Sequence, residues 1–115
     1  MFHYVLFKLR PGFTAEDMKR LYDCTYARLS EAVPEITATS FRKNCITRDS
    51  NMDVLITLQM TSPSGLESYL KHPLHLKFVE DTCEHVIQKV SFDWEEGVPQ
   101  VIHERPCQAG KEESA

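Results

Sequence analysis

His3-Tyr4-Val5-Leu6-Phe7-Lys8-Leu9 alternates with a period of two. His3, Val5, Phe7 and Leu9 share one face, and Tyr4, Leu6 and Lys8 share the other with Phe2. Both faces are mostly apolar, which predicts a central strand covered on both sides. Pro11-Gly12 ends it. Downstream, Thr14 starts a helix, with Asp17 three residues on as a weaker form of the capping box. Met18, Leu21, Tyr22, Thr25, Tyr26, Leu29, Ala32 and Val33 form its apolar stripe, and Pro34 stops it. Ile36–Asn44, rich in Thr and Ser, predicts an edge strand that Arg42 and Lys43 protect from edge-to-edge pairing. Thr47–Asn51 is turn-like, and Asp53–Thr61 alternates as a second strong strand. Ser62-Pro63 predicts a capped helix start. His72-Pro73 interrupts that helix, and a further helix follows in which His75, Phe78, Val79, Thr82 and Val86 share a side. Val86–Trp94 is the last predicted strand, with Val86, Gln88, Val90, Phe92 and Trp94 on one face.

The order strand, helix, strand, strand, helix, strand predicts an α+β fold, a ferredoxin-like βαββαβ sandwich with a four-stranded antiparallel sheet. The helices cover one sheet face. The other face carries Tyr4, Leu6 and Leu55 beside Asp53, Thr57 and Gln59, and nothing left in the chain covers it. A homodimer with two sheets face to face is the natural solution. Lys8, on that face, is expected to pair with Asp53. The domain is expected to span residues 1–94, followed by a polar tail, 95–115, in which Val98, Val101 and Ile102 are positioned to dock on the body or on a partner.

The 115 residues fit one domain, with 42% hydrophobic and 26% charged residues. A net charge of −4 is the wrong sign for a general nucleic-acid binder and leaves no polybasic membrane patch. Apolar runs reach about four residues, against roughly 18 for a membrane span. The first residues lack a signal-peptide pattern. Cys24, Cys45, Cys83 and Cys107 are scattered without a C-x-x-C pair, which predicts reduced thiols in the cytoplasm and no zinc site.

Tyr69-Leu70-Lys71-His72-Pro73-Leu74-His75, together with the opening His3-x-Val5-x-Phe7-Lys8, resembles the stress-responsive A/B barrel (Dabb) family over residues 1–94. The resemblance implies a dimeric α+β barrel. Members include cofactor-free plant polyketide cyclases of the olivetolic acid type, which close a ring by an aldol-type reaction. Their catalytic Tyr and His match Tyr69 and His75, and their first-strand His matches His3. Counted back from the heptad, a further pocket His of the third strand falls at Val54 here, a departure from the cyclase pattern.

Physical chemistry gives the same residues roles of their own. Pro73 at the first helical position makes His75 the third residue of a helix, where the dipole disfavours a charged ring. Burial acts in the same direction, so a neutral His75 is suited to general base catalysis. Tyr69 is placed to donate its hydroxyl to a developing oxyanion. A core histidine bonded to a backbone group fits His75 equally well. His72, before a proline, is expected to cap the following helix rather than react. The proline also spoils a His72–His75 metal pair. His3, Val5, Phe7, Tyr26, Val54 and Phe78 are the expected ligand-binding residues, with no cofactor and no metal. Three functions fit: a cofactor-independent acid/base enzyme, cyclase-like or lyase-like, acting on an apolar or aromatic carbonyl compound; a non-catalytic stress-response or small-ligand-binding protein; and a structural dimer whose pocket is filled by its own side chains. Neither nucleic acid nor a membrane is an expected partner.

Overall fold

The structure, a computed structural model, describes residues 1–97. The strands β1 (Phe2–Leu9), β2 (Ile36–Lys43), β3 (Val54–Met60) and β4 (Val86–Trp94) form one antiparallel sheet in the order β2-β3-β1-β4. The helices are α1 (Ala15–Ala32), α2 (Pro63–Lys71) and α3 (Pro73–Thr82), and a 3-10 turn, Cys83–His85, leads into β4. This is the ferredoxin-like arrangement expected, with the second crossover broken in two. β1 is central, and β2 and β4 are the edges. The tail beyond residue 97, including Val98, Val101, Ile102 and Cys107, lies outside the described residues.

The first crossover is fixed by local chemistry. The Thr14 hydroxyl accepts from the Asp17 N–H at 3.0 Å, and the Asp17 carboxylate accepts from the Thr14 N–H at 2.9 Å, a complete capping box. Met18, Tyr22, Tyr26, Leu29 and Val33 are buried against Ile56 and Leu58 of the sheet; Ala32, expected in that stripe, is exposed. Gly65 lets α2 approach the loop before β2, because a Cβ there would stand 2.6 Å from Glu35 Cβ.

Three local expectations are corrected. Ser62 does not cap α2 with its side chain; its hydroxyl lies 2.8 Å from that of Ser64, and the Ser62 carbonyl accepts from the Gly65 N–H instead. Val86 is not part of α3, which ends at Thr82, four residues earlier. Val86 also does not share a face with Gln88, Val90, Phe92 and Trp94. Leu9 is opposite Val86 and Lys8 is opposite Gln88, so an irregularity in the pairing leaves Ile87 as an extra residue and reverses the parity. Val86 is therefore on the helix side with Leu9. Gln88, Val90, Phe92 and Trp94 lie on the bare side with Lys8, Leu6, Tyr4 and Phe2.

On that bare side Phe2 stacks on Trp94 at 4.7 Å, and Tyr4 lies 6.4 Å from Phe92, which is 60% exposed. Lys8 Nζ stands 4.0 Å from Asp53 and donates to the Asn51 carbonyl at 2.8 Å. Asp53 also accepts from the Leu9 N–H at 2.8 Å, which pins the end of β1 where the pairing with β4 shifts.

Candidate active site

His72-Pro73 shapes the site. Pro73 cannot donate a helical N–H, and His72 adopts an extended conformation (φ −69°, ψ 138°) that ends α2 and begins α3. The His72 ring nitrogen Nδ1 accepts from the Leu74 N–H at 3.1 Å, the capping role expected of it. The break turns α3 so that His75 lies under the end of α2. There its Nδ1–H donates to the Leu70 carbonyl at 3.2 Å. This fixes the proton on Nδ1 when the ring is neutral and leaves the Nε2 lone pair available. Desolvation by burial is the largest influence on the ring and holds its pKa below the ordinary value of 6.5; the Leu70 bond opposes this, and the positive charge of Lys89 adds to it. His75 is thus neutral at pH 7.

The Tyr69 ring lies 4.3 Å from the His75 ring, centroid to centroid, and 5.8 Å from the His3 ring. Its hydroxyl is 2.6 Å from that of Tyr26, projected from α1. Burial raises both phenols well above their ordinary pKa, so both are protonated. His3, buried on β1, bonds through Nδ1 to the Asp93 carboxylate at 2.5 Å. The carboxylate accepts, so Nδ1 carries the proton in this bond and Nε2 is left facing away from Asp93.

These groups surround a cavity of about 400 Å³ between α3, β1 and β4. Val5, Phe7 and Phe78 form its apolar floor, and β4 closes it from Val86 to Ser91. Of the residues expected at a ligand site, His75, Tyr69, His3, Val5, Phe7, Tyr26 and Phe78 all line it. Val54 does not. It lies on β3 opposite Phe7 and is almost fully buried in the core beneath α1, on the far side of β1. Sequence reading overlooked Asp93, Lys89, Val79 and Thr82. The helical spacing that picked out Val79 and Thr82 placed them beside His75 without assigning them to the site. Asp93 and Lys89 are found only once β1 and β4 are paired antiparallel, which sets His3 opposite Asp93 and Phe7 opposite Lys89. Among the described residues no cluster of three or more His, Cys, Asp or Glu is placed to hold a metal ion, and no helix is long and apolar enough to cross a membrane.

The family model of the stress responsive A/B barrel domain, Dabb, matches residues 1–96. The chain belongs to the Dabb family. No curated protein matches its sequence. Among solved structures, the protein At3g17210 of Arabidopsis thaliana superposes with a TM-score of 0.70 at 17% identity, covering 87% of this chain and 98% of that one. A dimeric protein of unknown function and ferredoxin-like fold from Bacteroides fragilis gives 0.68 at 20% identity, covering 82% and 93%. The hydroxynitrile lyase of Passiflora edulis gives 0.65 at 13% identity, covering 85% and 95%. At these identities the Dabb likeness to solved structures is one of fold.

Proposed function

We propose that this Dabb protein is a homodimer that binds a small apolar or aromatic carbonyl compound in the helix–sheet cavity and acts on it by acid–base chemistry without a cofactor. The observation that carries the reading is the convergence of a neutral histidine, a protonated tyrosine and a carboxylate-oriented histidine on one mostly apolar cavity. Cavities of this size and composition suit small ligands. In the proposed step His75 Nε2 removes the proton next to a carbonyl, and the C–H electron pair moves through carbon to the oxygen. Tyr69 donates its hydroxyl proton in a hydrogen bond to that enolate oxygen, with the Tyr26 hydroxyl behind it. The enolate carbon attacks a second carbonyl of the same ligand, and the new alkoxide recovers the proton from His75. The reverse sequence is a lyase reaction. His3, held by Asp93, orients the ligand through Nε2.

Self-association is supported by the bare aromatic sheet face and by the dimeric state of the Bacteroides fragilis protein of the same fold. The exposed free thiols Cys24, Cys45 and Cys83 fit a cytoplasmic location. A second reading, ligand binding without turnover, is favoured by the 2.6 Å contact that already engages the Tyr69 hydroxyl with Tyr26.

The two readings part in D2O. In the catalytic one, 4-phenyl-2-butanone exchanges its α-protons for deuterium in the presence of the protein, followed by proton NMR. His75→Gln slows the exchange by roughly 10²–10⁴-fold, and Tyr69→Phe slows it with circular dichroism unchanged. Exchange no faster than in buffer, with the ketone still shifting the amide signals of Val5 and Ser91, leaves the binding reading alone. Absence of both exchange and shifts removes the cavity as a ligand site.

A further inference from the structure

The cavity has a charge of its own. The chain is acidic, with 17 Asp and Glu against 13 Lys and Arg. The residues lining the cavity nonetheless include one cation, Lys89, and no carboxylate. Asp93, the nearest acid along β4, is engaged by His3. Lys89 stands opposite Phe7, so its register position is on the helix side of β4, toward the cavity. Its charge is felt at His75 across the space between them. Among the described residues Lys89 has no hydrogen-bond or ion-pair partner, whereas Lys8, Lys19, Lys43, Lys71 and Lys77 are each paired with a carboxylate.

An edge-strand lysine in water serves to discourage strand pairing. Here the same side chain stands at the rim of an apolar cavity bounded by Val5, Phe7, Phe78 and Val79. A lone cation beside low-dielectric walls favours an anion there more than it would on an open surface. We propose that the natural ligand carries a carboxylate, which pairs with Lys89 while its apolar skeleton fills the floor beneath α3. This deepens the cavity reading above and rests on it. The ligand class becomes a carbonyl compound bearing an acid group, with the acid held at β4 and the reacting carbon near His75. An acid anchored at the rim orients the skeleton in one direction, which an apolar floor alone does not do.

Two probes of equal shape separate the effect of charge from that of burial: 4-phenylbutanoate and 4-phenylbutanamide. Each is titrated into the full-length protein at low ionic strength, with amide shifts of Val5, Ser91 and Val79 reporting on the cavity. The carboxylate is expected to bind about three- to tenfold more tightly than the amide, the range for a partly exposed charge pair. The preference shrinks as salt rises. Lys89→Met abolishes the preference by weakening the carboxylate and leaves the amide affinity unchanged, and Lys89→Arg retains it. Equal binding of both probes to the unmodified protein overturns the proposal and leaves the cavity reading standing. So does a Lys89→Met variant that keeps the preference or weakens both probes alike. If neither probe shifts the cavity amides, the cavity reading fails and the proposal with it.

Discussion

The two crossovers of this fold cover the same sheet in opposite ways. Over β2 and β3 lies α1, one unbroken helix of 18 residues whose stripe seals the interface. Met18, Leu29, Ile56 and Leu58 have no exposed surface there. The crossover from β3 to β4 is divided by His72-Pro73 into helices of 9 and 10 residues. The second of them stands away from β4, whose residues from Ile87 to Asp93 are exposed. A continuous stripe fills the space beneath it, and an interrupted one leaves a gap at the break. The sealed half therefore holds most of the packing, and the open half holds the groups with chemistry. His75, Tyr69 and His3 surround a region where close packing is relaxed.

The sharpest way to break this division is to truncate one residue on each side. Leu29→Ala in the sealed half is expected to cost about 2–5 kcal/mol, the transfer loss plus an unfilled cavity. Val79→Ala, at the cavity wall, loses two methyl groups that already meet open space, and about 1 kcal/mol or less is expected. Urea unfolding of the two variants measures both. Equal costs would mean that the open half is packed as tightly as the sealed one.

How far each half is legible in the sequence follows from the same contrast. Helix α1 is regular, so its capping box, its stripe and its stop at Pro34 can all be read from spacing. The heptad is local, so Tyr69, His72 and His75 can be placed without knowledge of the rest of the chain. What spacing does not carry is the meeting of distant strands. Asp93 reaches His3 across 90 positions, and a one-residue irregularity at Ile87 reverses which β4 residues face the helices. Period-two reading runs straight through such an irregularity and puts Val86 on the wrong face. Val54 failed for a related reason. Its place came from counting along a resemblance, and the count cannot show that β1 stands between it and the cavity.

The strand β4 is bare on both sides, and its two faces serve different proposals. Val90 and Phe92, 40% and 60% exposed, stand opposite Leu6 and Tyr4 on the sheet face that no helix covers. Phe92→Lys leaves the folded subunit within about 0.5 kcal/mol of its original stability, because the site is exposed. In the dimer it sets a charge inside an apolar contact, and a rise of at least about tenfold in the dimer dissociation constant is expected in sedimentation velocity. Probe binding in the cavity stays as it was. An unmodified protein that sediments as a monomer at micromolar concentration removes the face-to-face dimer. A Phe92→Lys variant as dimeric as its parent assigns the contact to another face.

The smallest expected effect concerns His75, and its sign separates the two halves once more. Partial burial favours the neutral ring, so its folded pKa lies below 6.5. Between that folded value and 6.5 the unfolded chain binds more protons at this position than the folded one does, and stability rises with pH across the interval. The contribution is fully present above pH 6.5 and is lost as pH falls through 6.5 toward and past the folded pKa. His75→Gln removes this proton uptake while keeping a side chain able to donate to Leu70. Urea unfolding from pH 7.5 down to pH 5 is therefore expected to show a shallower loss of stability in His75→Gln than in the unmodified protein. In the same window, amides around the cavity should shift with the protonation of His75 while those beneath α1 at Leu29 and Ile56 stay fixed. Parallel stability curves would place His75 in water in the folded state, and a neutral base at the cavity wall would then have no physical support.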